Sequence, residues 1–149
     1  MKYLIVLFML LFSYGANMQI LSKTFEYNQK QNLSKFIGDV NVTKEKDNIL
    51  CDKLFVYSTK DKKLDTLVAL NNVRFIINDK NATYKGTSNK LTYIAPKELF
   101  IFEGKVHITK IQDNQQLFGD KVIINKKNGT ANVIGKKNKP LKFIIKVND

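Results

Sequence analysis

Apolar and polar residues alternate along most of the chain. In GDVNVTK (residues 38–44) Val40 and Val42 flank Asn41; in NNVRFII (71–77) Val73, Phe75 and Ile77 fall on alternate positions around Arg74; in GKVHITK (104–110) Val106 and Ile108 flank His107. A period of two is the mark of a strand with one buried face. Asn41, Arg74 and His107 are therefore expected to point away from the core. The three stretches begin at residues 38, 71 and 104, so the pattern repeats every 33 residues. A second repeated element follows each of them: CDKLFVY from Cys51, SNKLTYI from Ser88 and GDKVIIN from Gly119. There Leu54 and Val56, Leu91 and Tyr93, and Val122 and Ile124 take the same alternate slots.

Turn signals separate these units: DKKLD at Asp61 to Asp65, APKE at Ala95 to Glu98, and KKNGT at Lys126 to Thr130, whose Asn-Gly pair favours a tight hairpin. No stretch beyond the amino-terminal segment sustains a helical period. The pattern predicts an all-β domain of about ten to twelve short strands, built from a repeated strand-turn-strand unit. Stacked units of this kind leave two open ends. The ends are expected at Met18 to Phe25 and at Leu141 to Val147, where Leu141, Phe143, Ile145 and Val147 alternate with Lys142, Ile144 and Lys146. Ile20, Leu141, Phe143 and Ile145 are the candidates for end-to-end docking with another chain.

The opening MKYLIVLFMLLFSYGA departs from this pattern. One lysine, an unbroken apolar run from Tyr3 to Phe12 and then small or polar residues describe a secretory signal peptide over residues 1–16. Residues 17–149 then form one domain, long enough to bury a core unaided. The lone cysteine, Cys51, excludes an internal disulfide. The formal charge of +12 favours anionic partners, yet Arg74 is the only arginine among 25 basic residues, and lysine lacks the fork that reads phosphates bidentately. Export, and the inward slots of Phe75 and Tyr93, argue against nucleic acid. Catalysis finds no support: there is one histidine, and no nucleophile triad, metal-ligand cluster or phosphate loop, so no catalytic residue, metal or cofactor is expected. Asp52 and Asp120 recur with the repeat, which points to turn capping and not to a site used once.

The segments GDVNVTK, ILCDKLFVY, YKGTSNKLTY, FEGKVHITK and FGDKVIINKKNGTANVIG, in this order behind a leader, resemble the OstA-like family of lipopolysaccharide-transport proteins over residues 19–146. Cys51 stands where the family usually has alanine, and Asn71-Asn72 where it usually has Gly-Asn. The resemblance implies a twisted β-jelly roll, open along one side, in the periplasm of a Gram-negative cell. It implies that the apolar interior receives the lipid A acyl chains of lipopolysaccharide. The inward residues Phe36 and Phe102 would join Val40, Val42, Leu54, Val56, Val73, Phe75, Leu91, Tyr93, Val106, Ile108, Val122 and Ile124 in that lining. Copies would join head to tail, and to related jelly rolls at the inner and outer membranes. A membrane-anchored jelly roll of the same pathway and a periplasmic scaffold that binds no lipid are the alternative readings.

Overall fold

The computed structural model describes residues 18–78 and 82–147. The leader expected over residues 1–16 lies outside them. Among the described residues ten antiparallel strands form one sheet: β1 (Met18–Leu21), β2 (Thr24–Asn28), β3 (Leu33–Lys44), β4 (Asp47–Ser58), β5 (Leu64–Asn78), β6 (Thr83–Ile94), β7 (Leu99–Lys110), β8 (Gln115–Asn125), β9 (Thr130–Ile134) and β10 (Lys142–Ile144). The path runs β1-β3-β4-β5-β6-β7-β8-β10, with β2 also on β3 and β9 also on β8. Its two ends do not pair with each other, so the sheet is open. The only helical element described is a single 3₁₀ turn, Ala95–Lys97.

The strand count, ten, falls within the expected range, but most strands are longer than the alternation suggested. Six of them, β3 to β8, run for 11 to 15 residues, because stretches such as SNKLTYI are the second halves of long strands and not separate elements. What interrupts the alternation is a β-bulge near the middle of β3, β5 and β7, each facing a single residue on the next strand. Gly38-Asp39, Asn71-Asn72 and Gly104-Lys105 all have positive φ, from 44° to 91°, and each pair is looped out opposite a single residue: Asp52, Asn89 and Asp120 respectively. Two left-handed residues facing one extended residue bend the strand sharply and raise its twist. The 33-residue period is the spacing of these bends.

The bends line up across neighbouring strands as one crease, and the sheet folds along it into two facing wings. Phe75 and Phe102 make the folding visible. Through their partners Gly86 and Leu91 they stand five positions apart on β6, roughly 17 Å in a flat sheet at about 3.4 Å per residue. Their ring centroids are 4.6 Å apart. One wing holds β1, β10 and residues 40–44, 47–51, 73–78, 83–88, 106–110 and 115–119. The other holds β2, β9 and residues 33–37, 53–58, 64–70, 90–94, 99–103 and 121–125. Between them lies the core, with Val40, Cys51, Leu54, Val56, Val73, Leu91, Phe102, Val106 and Val122 buried.

Asp52 and Asp120 are strand residues at the crease and cap no turn. Asp52 Oδ2 accepts a hydrogen bond from Asn72 Nδ2 at 2.8 Å, and Asp120 lies 3.6 Å from the Lys136 ammonium. Asn89 packs against Gly104, where the space a Cβ would need is already taken by the Asn89 amide.

Candidate lipid-binding groove

Opposite the crease the wings do not close. A cleft of ≈ 840 Å³ opens there between Phe75, Ile77, Tyr84, Ile108 and Leu117 on one wing and Phe100, Phe102, Val122, Ile124 and Ala131 on the other. A second cleft of ≈ 420 Å³ continues it toward the β1 end, between Met18, Val42, Ile49 and Ile77 on one wing and Leu64, Leu67, Tyr93 and Phe100 on the other. Ile77, Phe100 and Lys126 line both clefts, which therefore form one apolar groove along the open side.

Burial decreases with distance from the crease. On β5, Val73 is 0% exposed, Phe75 3% and Ile77 8%. On the other wing Leu91, Phe102 and Val122 are buried, whereas Tyr93, Phe100 and Ile124, two positions further out, are half-buried. The side chains that a ligand can reach are thus those near the turns. Tyr93 and Phe100 pack with ring centroids 4.5 Å apart. Burial first, and the charge of Glu98 second, push the Tyr93 phenol up from its ordinary value, so it stays neutral at physiological pH.

All fourteen residues expected on the inward face are buried or half-buried, but they divide. Phe75, Phe102, Ile108, Val122 and Ile124 line the larger cleft, and Val42 and Tyr93 the smaller. Phe36, Val40, Leu54, Val56, Val73, Leu91 and Val106 are packed in the core and line neither. Sequence reasoning missed Phe100, Leu117, Ile49 and Met18. Phe100 was within its reach, two positions before Phe102 on the same face.

At the ends, Ile20 is buried against the core and does not present its side chain at the edge, although β1 itself is the edge strand beside that half of β3. Leu141, Phe143 and Ile145 are exposed, together with Ile144 and Val147, and β10 pairs with β8 through only three residues. On the outer face Arg74 is exposed. His107, on the same face, is partly covered: its ring stacks on Phe118 at 4.2 Å, and Nε2 lies 3.0 Å from Gln116 Oε1. Burial pushes the Cys51 thiol up to about 11, which leaves it without thiolate character at neutral pH. Among the described residues no group of His, Cys, Asp and Glu could hold a metal ion.

A search among curated proteins finds no significant match. Among solved structures the fold matches the crystal structure of LptH, "the LptA homologous periplasmic component of the conserved lipopolysaccharide transport device from Pseudomonas aeruginosa", with a TM-score of 0.76 and 11% sequence identity, covering 88% of this chain and 96% of that one. The two chains share the open, jelly-roll-like sheet. The family described as "LptA/(LptD N-terminal domain) LPS transport protein" matches residues 19–139. With that match spanning nearly the whole of the creased sheet, the chain belongs to this family of lipopolysaccharide-transport proteins.

Proposed function

We propose that the protein is a periplasmic carrier that shields the acyl chains of lipopolysaccharide in its groove and passes them along a bridge of jelly rolls between the two membranes. The observation that carries this reading is the apolar groove, open along its whole length and lined from both wings. An acyl chain exposed to water costs about 0.8 kcal/mol per methylene, so a many-chained glycolipid needs continuous cover. A lining of Phe100, Ile77, Leu117 and Ile124 supplies that cover with few directional hydrogen bonds, which permits sliding. The unpaired outer edges of β1 and β2 at one end, and of β9 and β10 at the other, suit β-augmentation with a second copy or with a related jelly roll. Residues 1–16 serve in this reading as the export signal.

The test compares two neighbouring isoleucines on β8. Ile124 lines the groove, and Ile123 points to the opposite face. A photo-reactive residue placed at 124 in living cells should capture lipopolysaccharide, and one at 123 should not. Equal capture from both, or from neither, would overturn the reading.

A further inference from the structure

The walls of the groove are mostly apolar, but the charge around its mouths is not evenly spread. Around the smaller cleft stand Lys44, Lys62, Lys63 and Lys126 against a single carboxylate, Asp47. Around the larger one Lys126 is balanced by Glu98. The four lysines come from separate places: Lys44 ends β3, Lys62 and Lys63 lie in the turn before β5, and Lys126 begins the turn before β9. Only the folding of the wings brings them to one mouth. Asp47 is already engaged, its Oδ1 accepting the backbone N–H of Asn78 at 2.7 Å. Lys62 is held in place, donating to the Tyr27 hydroxyl at 2.9 Å and to Asn32 Oδ1 at 3.0 Å. Lys126 lies over the Phe100 ring, 5.3 Å from its centroid, where the two clefts meet. Neither Lys44 nor Lys126 has a carboxylate partner among the described residues.

Resting on the reading of the groove as an acyl-chain site, we infer that the mouth of the smaller cleft is the seat of a phosphate carried by the amphiphile, with Lys44 and Lys126 as its principal contacts. The occupant is a phosphate-bearing amphiphile and not a carboxylate or a free ion. A phosphate monoester carries a charge of roughly −1.5 to −2 at neutral pH, which meets the excess of cations at this mouth better than one carboxylate does. The apolar walls directly beneath require the anion to be tethered to hydrocarbon. Arg74 lies on the outer face, so the mouth offers point charges and no guanidinium fork; such contacts attract a phosphate without locking it. The seat also gives the bound molecule a direction, with its headgroup toward the β1 end and its chains toward the larger cleft.

The full chain would be titrated with dodecyl phosphate and with uncharged dodecyl maltoside, both below their micelle concentrations, at low and high salt. The expected result is a preference for the phosphate that fades with salt. Lys44→Gln/Lys126→Gln should weaken dodecyl phosphate about tenfold, as for the loss of two solvent-exposed ion pairs, and leave the maltoside unchanged. Lys137→Gln/Lys139→Gln, remote from the groove, should change neither. Equal weakening of both ligands, equal weakening by the remote pair, or displacement of dodecyl phosphate by an equal concentration of inorganic phosphate would each overturn the inference. If the native protein binds neither amphiphile, the acyl-chain reading falls, and the phosphate seat falls with it.

Discussion

Replacing Gly86 by alanine tests whether the wings pack as described. Gly86 lies on β6 between Phe75 and Ile108 in register, and it is the missing side chain that lets the Phe75 ring cross the strand. A Cβ at this position would stand 2.5 Å from Phe75 Cζ and closer still to the His107 carbonyl oxygen. Carbon atoms in ordinary contact stay about 3.5–4.0 Å apart, so the ring would have to retreat by about 1 Å. It has nowhere to go, because Phe102 backs it at 4.6 Å, and the His107 carbonyl belongs to the backbone of β7. Overpacking of this kind costs about 1–3 kcal/mol. Alanine recovers about 0.5–1 kcal/mol of chain entropy that glycine loses on folding. The net expectation is a loss of about 1–2 kcal/mol, read in urea by circular dichroism as a midpoint lowered by roughly 0.5–1 M at an unchanged slope. Phe75→Leu removes the clashing Cζ, so in a double-mutant cycle the pair should cost less than the two single changes together. A Gly86→Ala protein as stable as the native one, or strict additivity, would show that the ring does not cross β6 and that the wings are packed differently.

Two further outcomes follow from the crease and from the C-terminal edge. Asn72 sits at φ 51° and donates to Asp52; Asn72→Val should lower stability by about 2 kcal/mol, from the left-handed penalty of a branched residue and the lost bond, whereas Asn71→Gly should be neutral or mildly stabilising. A neutral Asn72→Val in thermal melts would remove the crease from this position. Deleting residues 141–149 removes no member of the buried core, so the truncated protein should keep its β-sheet circular dichroism and lose end-to-end assembly in size-exclusion chromatography; loss of the β signal would make the segment structural.

Much of the inward face was legible because each wing obeys strict alternation. Val40 and Val42, Val73 and Phe75, and Val106 and Ile108 all fall where period two puts them. The long strands were not legible for the same reason: two left-handed residues against one extended residue break the period at mid-strand, and a broken period reads as two short strands. Asn71-Asn72 carries the bend without a glycine, so only the 33-residue spacing from Gly38 and Gly104 marks it. Ile49 and Met18 were missed because their place in the groove depends on which wing they join. The lysine mouth could not have been read at all, since Lys44, Lys62 and Lys126 are brought together only by the fold. Alternation puts His107 on the outer face, but it says nothing of a neighbour such as Phe118 that covers the ring there.

Each strand thus divides its labour along its length. Next to the crease, residues such as Val73, Val106 and Val122 are wholly enclosed, and the bend that encloses them is fixed by left-handed backbone that only Gly, Asn, Asp and a few others adopt at low cost. Toward the turns the same faces diverge, and Ile77, Phe100 and Ile124 are left with one side unpacked. Stability is therefore concentrated at one edge of the wings and open space at the other, so the groove can remain open without emptying the core. Bending the sheet without closing it has a second consequence. A closed barrel has no free edges and encloses its contents, whereas this sheet keeps an unpaired edge at each end and an unbroken slot between them. On the proposed reading both are needed for an amphiphile to pass from one jelly roll to the next without its chains meeting water, since the slot must run out at the same ends where a next sheet would dock.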